Sequence, residues 1–329
     1  MSENRLRVAV TRRIFPELID FLRARYEVRD NQADAPLSPQ ALREHLRDAD
    51  GVLATGGDRI DAALLEACPR LKVVSNIAVG YNNIDLDACT AYGVAATNTP
   101  DVLNEATADH AWALLLAAAR RVGEAERFVR AGQWKRWEFE MLMGADLYGR
   151  TLGIVGMGRI GRAIARRAQG FAMRVLYHNR KPLPSELAGA AEYRSLEVLL
   201  AEADHVIVVV PYSPQTHHLI GARELARMKP SAVLVNIARG GVVDDAALVE
   251  ALRARRLFAA GLDVFENEPA LNPAFLALDN VVLTPHIASS TRATRQAMAD
   301  LAIRNLEDVL AGRRPAALLN AEVWDRRRR

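Results

Sequence analysis

The sequence is poor in cysteine, lysine and aromatic residues, and these shortages limit what the protein can be. Cys68 and Cys89 are the only cysteines among 329 residues, so we expect two buried free thiols rather than a disulfide framework. Only four of the 43 cationic residues are lysine, and acidic and basic residues are interleaved to a net charge of +3. No nucleic-acid-binding surface is indicated. The one basic run, Arg326–Arg329, is predicted to be a frayed, solvated tail.

Long apolar runs are also missing. The longest, residues 111–119, has about half the length that a membrane span needs. The polar start of the chain carries no signal-peptide pattern. Neither cysteine has a second cysteine or a histidine at metal-ligand spacing. We therefore expect a cytoplasmic protein with no membrane partner and no metal site.

Short apolar segments alternate with amphipathic helical segments, which indicates parallel strands joined by crossover helices. In the first hundred residues, the predicted strands are Arg7–Val10, Gly51–Ala54, Lys72–Ile77 and Val94–Thr97, and the predicted helices are Pro16–Arg25, Pro39–Arg47 and Ala62–Ala67. Six further strands are predicted at Thr151–Val155, Arg174–Tyr177, His205–Val210, Ala232–Ile237, Ala259–Val264 and Val281–Leu283. Six such strands make a complete doubly wound sheet.

Two long helical segments connect these blocks. One runs from about residue 102 to 121 with a continuous apolar stripe, and the other, residues 291–310, is long enough to return to the first block. We therefore predict a discontinuous substrate-binding domain, residues 1–99 with 288–329, and a dinucleotide-binding domain, residues 100–287. The predicted fold class is α/β, with two Rossmann-like or flavodoxin-like doubly wound parallel-sheet domains and a cleft between them.

A glycine-rich turn follows the first strand of the second block. Gly156, Gly158 and Gly161 form a G-x-G-x-x-G pattern between an apolar strand and a helix. In this context the first glycine permits a tight turn, the second lets the backbone approach a pyrophosphate, and the third allows close packing of helix on strand. The helix N-terminus adds partial positive charge. The pattern predicts a dinucleotide site, with a purely structural glycine turn as the alternative.

The residues after the next strand favour NADPH over NADH. An acidic residue that binds the ribose 2′-hydroxyl is expected about 20 residues past the glycines. Asn179 holds that place, and Arg180 and Lys181 follow it. A carboxylate would repel a 2′-phosphate, whereas an amide can donate to it and an arginine can form charge-assisted hydrogen bonds. NADPH is the predicted cofactor and NADH the weaker one. The alternative is a solvated Arg-Lys loop that does not discriminate.

Three ionisable residues of complementary chemistry follow the last three predicted strands. They are Arg239, Glu268 and His286. Ligands bind outside the carboxyl ends of open parallel sheets, so we expect these side chains to converge. An imidazole suits proton donation near neutral pH, a neighbouring carboxylate stabilises the imidazolium, and a guanidinium binds a substrate carboxylate. The set predicts reduction of a 2-oxo acid with His286 as the general acid.

These motifs make the chain similar, over essentially its whole length, to the D-isomer-specific 2-hydroxyacid dehydrogenase family. Within that family it most resembles glyoxylate/hydroxypyruvate reductases and bacterial 2-ketogluconate reductases. The motifs are Gly153–Gly161, Asn236–Gly240, Gly261–Pro269 and Thr284–Ala288. The resemblance implies an oxidoreductase of glyoxylate, hydroxypyruvate or 2-ketogluconate, in which His286 is the acid/base, Glu268 its partner and Arg239 the substrate anchor.

The resemblance also implies contacts outside this set. Backbone N–H groups of Val79 and Gly80 would bind the substrate carboxylate. Trp137 matches a tryptophan that relatives lend to the neighbouring subunit's substrate pocket, with simple dimer packing as an equal alternative. A homodimer is implied, with the apolar helix 102–121 supplying much of its contact. The implied cofactor contacts are Val102, Thr107, Gly156, Met157, Gly158, Arg159, Ile160, Gly161, Asn179, Arg180, Lys181, Val210, Pro211, Thr216, Ala238, Asp263 (at the nicotinamide amide), His286 and Ala288.

The chain departs from the family pattern at two positions. Asn179 replaces the acid of NAD-specific members, and Ala288 replaces the glycine that often follows Pro-His-Ile. Two further histidine motifs are interpreted without a catalytic role. His217 and His218 are read as a loop that flanks the adenine end of the cofactor, and Asp109-His110 as helix packing or a cap network.

Rival functions are judged on the same residues. A phosphoglycerate dehydrogenase is disfavoured because the chain ends near residue 329 without a regulatory domain, and a formate dehydrogenase because glutamine would be expected at position 268. Dinucleotide-sensing corepressors of this family retain the Arg/Glu/His set, so a binding protein stays open as the alternative from another class. The lack of a disordered partner-binding extension favours the enzyme.

Overall fold

The computed structural model describes residues 5–328 as alternating strands and helices. The strands are β1 Arg7–Val10, β2 Glu27–Asp30, β3 Gly51–Ala54, β4 Val73–Asn76, β5 Ala95–Thr97, β6 Thr151–Val155, β7 Arg174–His178, β8 Glu192–Tyr193, β9 His205–Val208, β10 Val233–Asn236, β11 Ala259–Leu262 and β12 Val281–Leu283. The helices are α1 Pro16–Arg23, α2 Pro39–Leu46, α3 Ala62–Ala67, α4 Leu86–Ala91, α5 Asn104–Ala119, α6 Val122–Arg130, α7 Arg159–Ala168, α8 Ser185–Ala188, α9 Leu196–Glu202, α10 Ala222–Leu225, α11 Asp245–Arg253 and α12 Arg292–Leu310.

The chain forms two compact units. The first reaches Leu103 and resumes at Thr291, and the second runs from Asn104 to Ser290. These divisions fall three or four residues from the domain limits expected from the sequence. Both units are built on an all-parallel sheet, as the fold-class prediction requires. Among the described helices, none is long and apolar enough to cross a bilayer.

The first unit has a five-stranded sheet in the order β2-β1-β3-β4-β5. This is the flavodoxin-like order of doubly wound sheets. Helix α2 begins as the sequence predicts, because Ser38 accepts a hydrogen bond from the backbone N–H of Ala41 and Pro39 occupies the first turn. Helix α12 packs on β3 and β4, and the Ser75 hydroxyl donates to the Ala302 carbonyl oxygen at 2.7 Å. The C-terminal helix is therefore part of the first core.

The end of the chain is more ordered than the sequence suggests. Arg328 donates from its guanidinium to the carbonyl oxygens of Cys68 and Leu71, at 2.9 and 3.1 Å, and its backbone N–H donates to Gly93. The guanidinium of Arg327 lies 3.8 Å from the ring centroid of Trp324. The expectation of a frayed tail is thus wrong for these two arginines, because peptide carbonyl groups and an aromatic face give their guanidinium groups specific partners. Arg329, the last residue of the predicted tail, lies outside the described residues.

The second unit has a seven-stranded sheet in the order β12-β11-β10-β9-β6-β7-β8. Six of its strands were predicted, and β8 adds a two-residue edge. Helix α5 packs against β10, β11 and α7, and its apolar residues, Trp112 and Leu115 among them, are buried there. The buried stripe covers the sheet of its own unit, and Ala113 lies exposed outside it. The expectation that residues 102–121 supply much of a dimer contact stays a prediction.

Candidate active site

The glycine turn after β6 has the geometry that a dinucleotide needs. Gly156 has a φ of +107°, and a Cβ there would lie 2.6 Å from the Val209 carbonyl oxygen. A Cβ on Gly161 would come within 2.2 Å of the Gly156 carbonyl oxygen. Side chains are thus excluded at both positions, by the turn itself and by the close approach of helix to strand.

The middle glycine faces open space. A Cβ built on Gly158 meets no atom of the chain within 4 Å. Gly158 is the N-cap of α7, and no side chain of the described residues caps this end. The first N–H groups of α7 therefore lack the intrahelical acceptors that later residues have, which makes this end an anion site. The turn and helix end fit a pyrophosphate, and the residues that would hold it are 156–161.

Asn179 is tied to the same turn. Its Oδ1 accepts a hydrogen bond from the backbone N–H of Met157 at 2.7 Å. The amide nitrogen is therefore the part of this side chain that remains to donate to a ligand. Arg180 and Lys181 follow it as exposed residues. The end of β7 thus presents two cations and an amide donor beside the glycine turn.

Arg239, Glu268 and His286 follow β10, β11 and β12, which are neighbours in the sheet and parallel. The carboxyl ends of these strands consequently meet at one edge. The Nδ1 atom of His286 lies 2.7 Å from Oε2 of Glu268. A carboxylate can only accept, so Nδ1 carries the proton, and Nε2 is left as the ring atom that can exchange a proton with a substrate.

The Glu268 carboxylate is held from two sides. Its Oε1 accepts the backbone N–H of Phe265 at 2.8 Å, while Oε2 pairs with His286. Burial raises the pKa of Glu268, but the hydrogen bond and charge of His286, the Phe265 N–H and the charge of Arg239 together hold that pKa below its usual value. Glu268 is thus a carboxylate at neutral pH, suited to stabilise an imidazolium.

Arg239 is half-buried beside this pair. Burial lowers the pKa of its guanidinium, and the negative charge of Glu268 acts in the opposite direction. Its Nη1 donates to the Ala238 carbonyl oxygen at 2.8 Å. The next residue, Gly240, could carry no side chain, because a Cβ there would overlap the Phe265 carbonyl oxygen at 1.7 Å. The Arg239 turn is therefore packed directly on the segment that leads to Glu268.

The comparisons with known proteins agree with this geometry. A family model described as the NAD binding domain of D-isomer specific 2-hydroxyacid dehydrogenases matches residues 112–288. The glyoxylate reductase of Thermococcus onnurineus is 50% identical over 327 residues, which cover 98% of each chain. This chain belongs to the D-isomer specific 2-hydroxyacid dehydrogenases.

Two further relatives of this dehydrogenase are reductases of glyoxylate or hydroxypyruvate by name. The glyoxylate reductase of Pyrococcus furiosus is 48% identical over 322 residues, 96% of each chain. The crystal structure of an NADPH-dependent glyoxylate/hydroxypyruvate reductase from Sinorhizobium meliloti, in complex with NADP and malonate, is 37% identical with a TM-score of 0.86 and covers 99% of both chains. The family predicted from the sequence is confirmed, and so is its pair of parallel-sheet domains.

Asp263 of the dehydrogenase organises the loop that carries His286. The family resemblance implies that Asp263 meets a nicotinamide amide, which stays a prediction, and its side chain is buried in the structure. Its Oδ1 accepts from the Thr284 hydroxyl at 2.7 Å and from the Ile287 N–H at 2.8 Å, and its Oδ2 accepts from the Ala288 N–H at 2.9 Å. Burial raises the pKa of Asp263, but these hydrogen bonds, with one from His110, hold it below its usual value.

His110 belongs to the same network. Its Nε2 lies 3.0 Å from the Thr284 hydroxyl and 3.3 Å from Oδ1 of Asp263. The sequence assigns His110 to helix packing or a cap, and the residue that it approaches is 153 positions later in the chain. No local spacing could have joined the two. The network fixes the backbone around His286, which has a left-handed φ of +53°.

The other residues of the dehydrogenase expected to contact the cofactor lie in several parts of the chain. Val210, Pro211 and Ala238 lie just beyond the carboxyl ends of β9 and β10. The Thr216 hydroxyl donates to the Pro211 carbonyl oxygen at 2.8 Å and so closes a turn at that edge. Thr107 lies in the first turn of α5, and Val102 belongs to the first unit.

The first unit carries a backbone loop with unusual hydrogen bonding. The Val79 and Gly80 carbonyl oxygens accept from the side chains of Asn98 and Asn76, each at 2.8 Å, and the Ala78 carbonyl accepts from the Thr99 N–H at 3.0 Å. Within the described part of this unit, no backbone or side-chain acceptor faces the N–H of Val79 or Gly80. The loop therefore presents donors, as a carboxylate site requires.

His218 lies in a loop beside the turn that follows Arg239. Its backbone N–H donates to the Gly241 carbonyl oxygen at 2.7 Å, and its Nε2 lies 2.5 Å from Oε1 of Glu266. A left-handed φ of +48° at His218 directs the chain there. The expectation that this loop flanks the adenine end of the cofactor stays a prediction.

Proposed function

We propose that this dehydrogenase reduces small 2-oxo acids to D-2-hydroxy acids, with His286 as the general acid. The observation that carries the proposal is the 2.7 Å contact between Nδ1 of His286 and Glu268, which leaves Nε2 to serve the substrate. A bound nicotinamide dinucleotide would supply the hydride. The residues that would hold it are the 156–161 turn and Asn179, with Arg180 and Lys181 beside them.

The three side chains at the β10–β12 edge have different roles in the proposed reaction. The His286 Nε2 donates a proton to the carbonyl oxygen as that oxygen gains negative charge. The Glu268 carboxylate stabilises the imidazolium before transfer and keeps the ring in one orientation. The Arg239 guanidinium binds the substrate carboxylate through charge-assisted hydrogen bonds. The roles require one protonated imidazole, one carboxylate and one guanidinium. The lowered pKa of Glu268 keeps that carboxylate charged. Arg239 stays charged although burial lowers its pKa, because a guanidinium loses its proton only far above neutral pH.

The substrate class follows from the same groups. Arg239 suits an anion, and one proton donor suits one carbonyl group. In the first unit, the N–H groups of Val79 and Gly80 are by themselves donors of the kind that a carboxylate binds. Glyoxylate and hydroxypyruvate are the substrates that we propose, in line with the names of the relatives. The larger 2-ketogluconate is a third candidate. The decisive experiment is a panel of these acids with NADPH, followed by the loss of absorbance of the reduced cofactor. Tight NADPH binding without turnover of any of them would contradict the enzyme and support a dinucleotide-sensing protein.

We further propose that NADPH is preferred over NADH. An Asn179→Asp substitution tests this sharply, because aspartate keeps an oxygen for the Met157 N–H and replaces the amide donor with a charged oxygen. Repulsion of the 2′-phosphate and loss of an amide donor should lower kcat/KM for NADPH by about 10- to 100-fold, since such contacts contribute about 1.5–3 kcal/mol. The KM for glyoxylate at saturating cofactor is the control and should not change. Equal kcat/KM for the two cofactors in the wild type would refute the preference.

We propose a homodimer with a contact on the segment that carries Trp137, a residue for which the sequence left dimer packing open. Residues 122–148, which we name the exposed arm, carry large apolar side chains at the surface, and α6 has no buried residue. Trp137 is 75% exposed and Phe139 82% exposed. Monomeric proteins rarely expose large contiguous apolar patches, and such patches mark sites of protein–protein contact. A second copy of the chain is the partner that we propose.

The proposed dimer contact of the exposed arm can be tested separately from its effect on substrate binding. Phe139→Glu is expected to convert a dimer to a monomer in size-exclusion chromatography with light scattering, while Leu276→Glu, at an apolar residue 69% exposed outside the arm, leaves the mass unchanged. Trp137→Ala distinguishes the two roles of that residue. A raised KM for the oxo acid in an intact dimer means that Trp137 reaches the partner's substrate pocket, and a loss of dimer means packing. A wild-type monomer would rule out the arm as an interface.

A cytoplasmic location is proposed on chemical grounds. Cys68 and Cys89 are both free and buried, and burial raises the pKa of Cys89 to about 12. Such thiols are inert and need no oxidising compartment.

A further inference from the structure

Three loops at the carboxyl edge of the second sheet are joined through His218. The backbone of residues 218–220 runs beside residues 241–244. The His218 N–H donates to Gly241, the Ile220 N–H donates to Val242 at 3.1 Å, and the Asp244 N–H donates to Ile220 at 3.0 Å. This backbone pairing places the imidazole next to the turn that begins with Arg239.

The His218 side chain then reaches the third loop. Its Nε2 lies 2.5 Å from Oε1 of Glu266, and because a carboxylate only accepts, Nε2 is the donor. The other ring nitrogen lies 3.7 Å from Oδ2 of Asp244, and the ring of His217 stacks on the His218 ring at 3.9 Å between centroids. The imidazole is therefore fixed on several sides although its side chain is 37% exposed.

Glu266 is anchored from a second direction. Its backbone N–H donates to Oδ2 of Asp245 at 2.9 Å, and Asp245 is only 3% exposed at the start of α11. The preceding residue, Phe265, donates its N–H to Oε1 of Glu268 and places its carbonyl oxygen against Gly240. Whatever fixes residues 265–266 therefore fixes both the carboxylate of Glu268 and the turn of Arg239.

We propose that His218 is a positioning residue that sets the spacing between Arg239 and the Glu268–His286 pair through its hydrogen bond to Glu266. This inference rests on the proposed reductase function. His218 is linked to these groups through Glu266 and the backbone of Gly241. It acts by holding the backbone segment that both depend on. The glycine turn and Asn179 are not part of this linkage, so we expect NADPH affinity to change much less than the rate with the oxo acid.

The test compares His218→Ala with His218→Gln. Loss of the linkage should lower kcat/KM for the oxo acid by about 10- to 100-fold, because small displacements of catalytic groups have effects of that size. Glutamine retains an N–H donor for Glu266 and should recover much of the loss. The dissociation constant for NADPH should stay within about 2-fold of the wild type. Arg223→Ala, which removes an exposed arginine on α10 that pairs with Glu224, is the control and should retain wild-type kcat/KM.

A double-mutant cycle supplies the stricter readout. If His218 acts through Glu266, then adding His218→Ala to Glu266→Ala should have little further effect, whereas independent roles would multiply. An unchanged kcat/KM in His218→Ala, the absence of recovery in His218→Gln, or a multiplicative double mutant would each overturn the proposal. So would a loss of NADPH affinity parallel to the loss of rate, because that would indicate general unfolding.

A second measurement does not depend on turnover. In ¹⁵N-histidine-labelled protein, the ring signals of His286, assigned with a His286→Asn variant, should move in His218→Ala and return in His218→Gln. Unmoved signals would overturn the positioning role. If the wild type reduced no 2-oxo acid, the proposed function would fail while these signals still decided the role of His218.

Discussion

Replacing His286 with asparagine is expected to lower kcat for oxo-acid reduction by about 10²- to 10⁴-fold, the usual contribution of a general acid. Asparagine is chosen because His286 has a φ of +53°, a conformation that asparagine tolerates better than most residues. The backbone N–H of residue 286 can then still donate to the Asp263 carbonyl oxygen. The substitution therefore removes the proton donor with little disturbance of the loop.

Steady-state rates with saturating NADPH and glyoxylate provide the measurement. The dissociation constant for NADPH and the thermal midpoint serve as controls, and both should stay near wild type. Glu268→Gln, which leaves the imidazole in place, should lower kcat less than His286→Asn does. A His286→Asn enzyme with more than a tenth of wild-type kcat would show that another group delivers the proton.

Replacing Arg239 with leucine should raise KM for the oxo acid and lower kcat/KM by about 10²- to 10³-fold. Removing one partner of a buried charge pair costs about 2–5 kcal/mol, and the substrate carboxylate would lose such a partner. Arg239→Lys should fall in between, because lysine keeps the charge but not the two-pronged geometry of the guanidinium. Full progress curves at several substrate concentrations separate KM from kcat.

The Arg239→Leu substitution should raise the KM for the oxo acid and leave the dissociation constant of NADPH nearly unchanged. A matched control is Arg223→Leu, which removes an exposed arginine on α10 that pairs with Glu224. That variant is expected to keep wild-type KM. If Arg239→Leu raised the dissociation constant of NADPH as much as the KM of the acid, Arg239 would not be the substrate anchor.

Most of the fold could be predicted because its strands are short apolar runs between helices of clear period. The limits of β1, β3, β6 and β12 agree with those predicted from the sequence. The strand β2, with the sequence Glu-Val-Arg-Asp, was missed, because an edge strand exposes one side and carries no apolar run. The two-residue β8 was missed for its length. The order of the strands in each sheet depends on contacts between residues far apart in the chain. A local sequence pattern carries no information on such contacts.

The candidate site could be predicted only in part. Arg239, Glu268 and His286 were found because each follows a strand, and strand ends in a parallel sheet meet at one edge. The residues that hold them were not found. The Phe265 N–H acts through its backbone, so its side chain carries no signal. His110 and His218 reach their partners across 153 and 48 residues, and their own helix and loop give no sign of those partners.

The bond between Met157 and Asn179 has a consequence for how this enzyme can change. An oxygen atom is all that the turn requires of position 179, so amide and acid are interchangeable as far as the fold is concerned. Under the proposed NADPH preference, the exchange of one nitrogen for one oxygen should reverse the electrostatic preference at the ribose. A descendant of this chain could thus draw its electrons from a different pool of reduced nucleotide after a single substitution, without rebuilding the architecture around it.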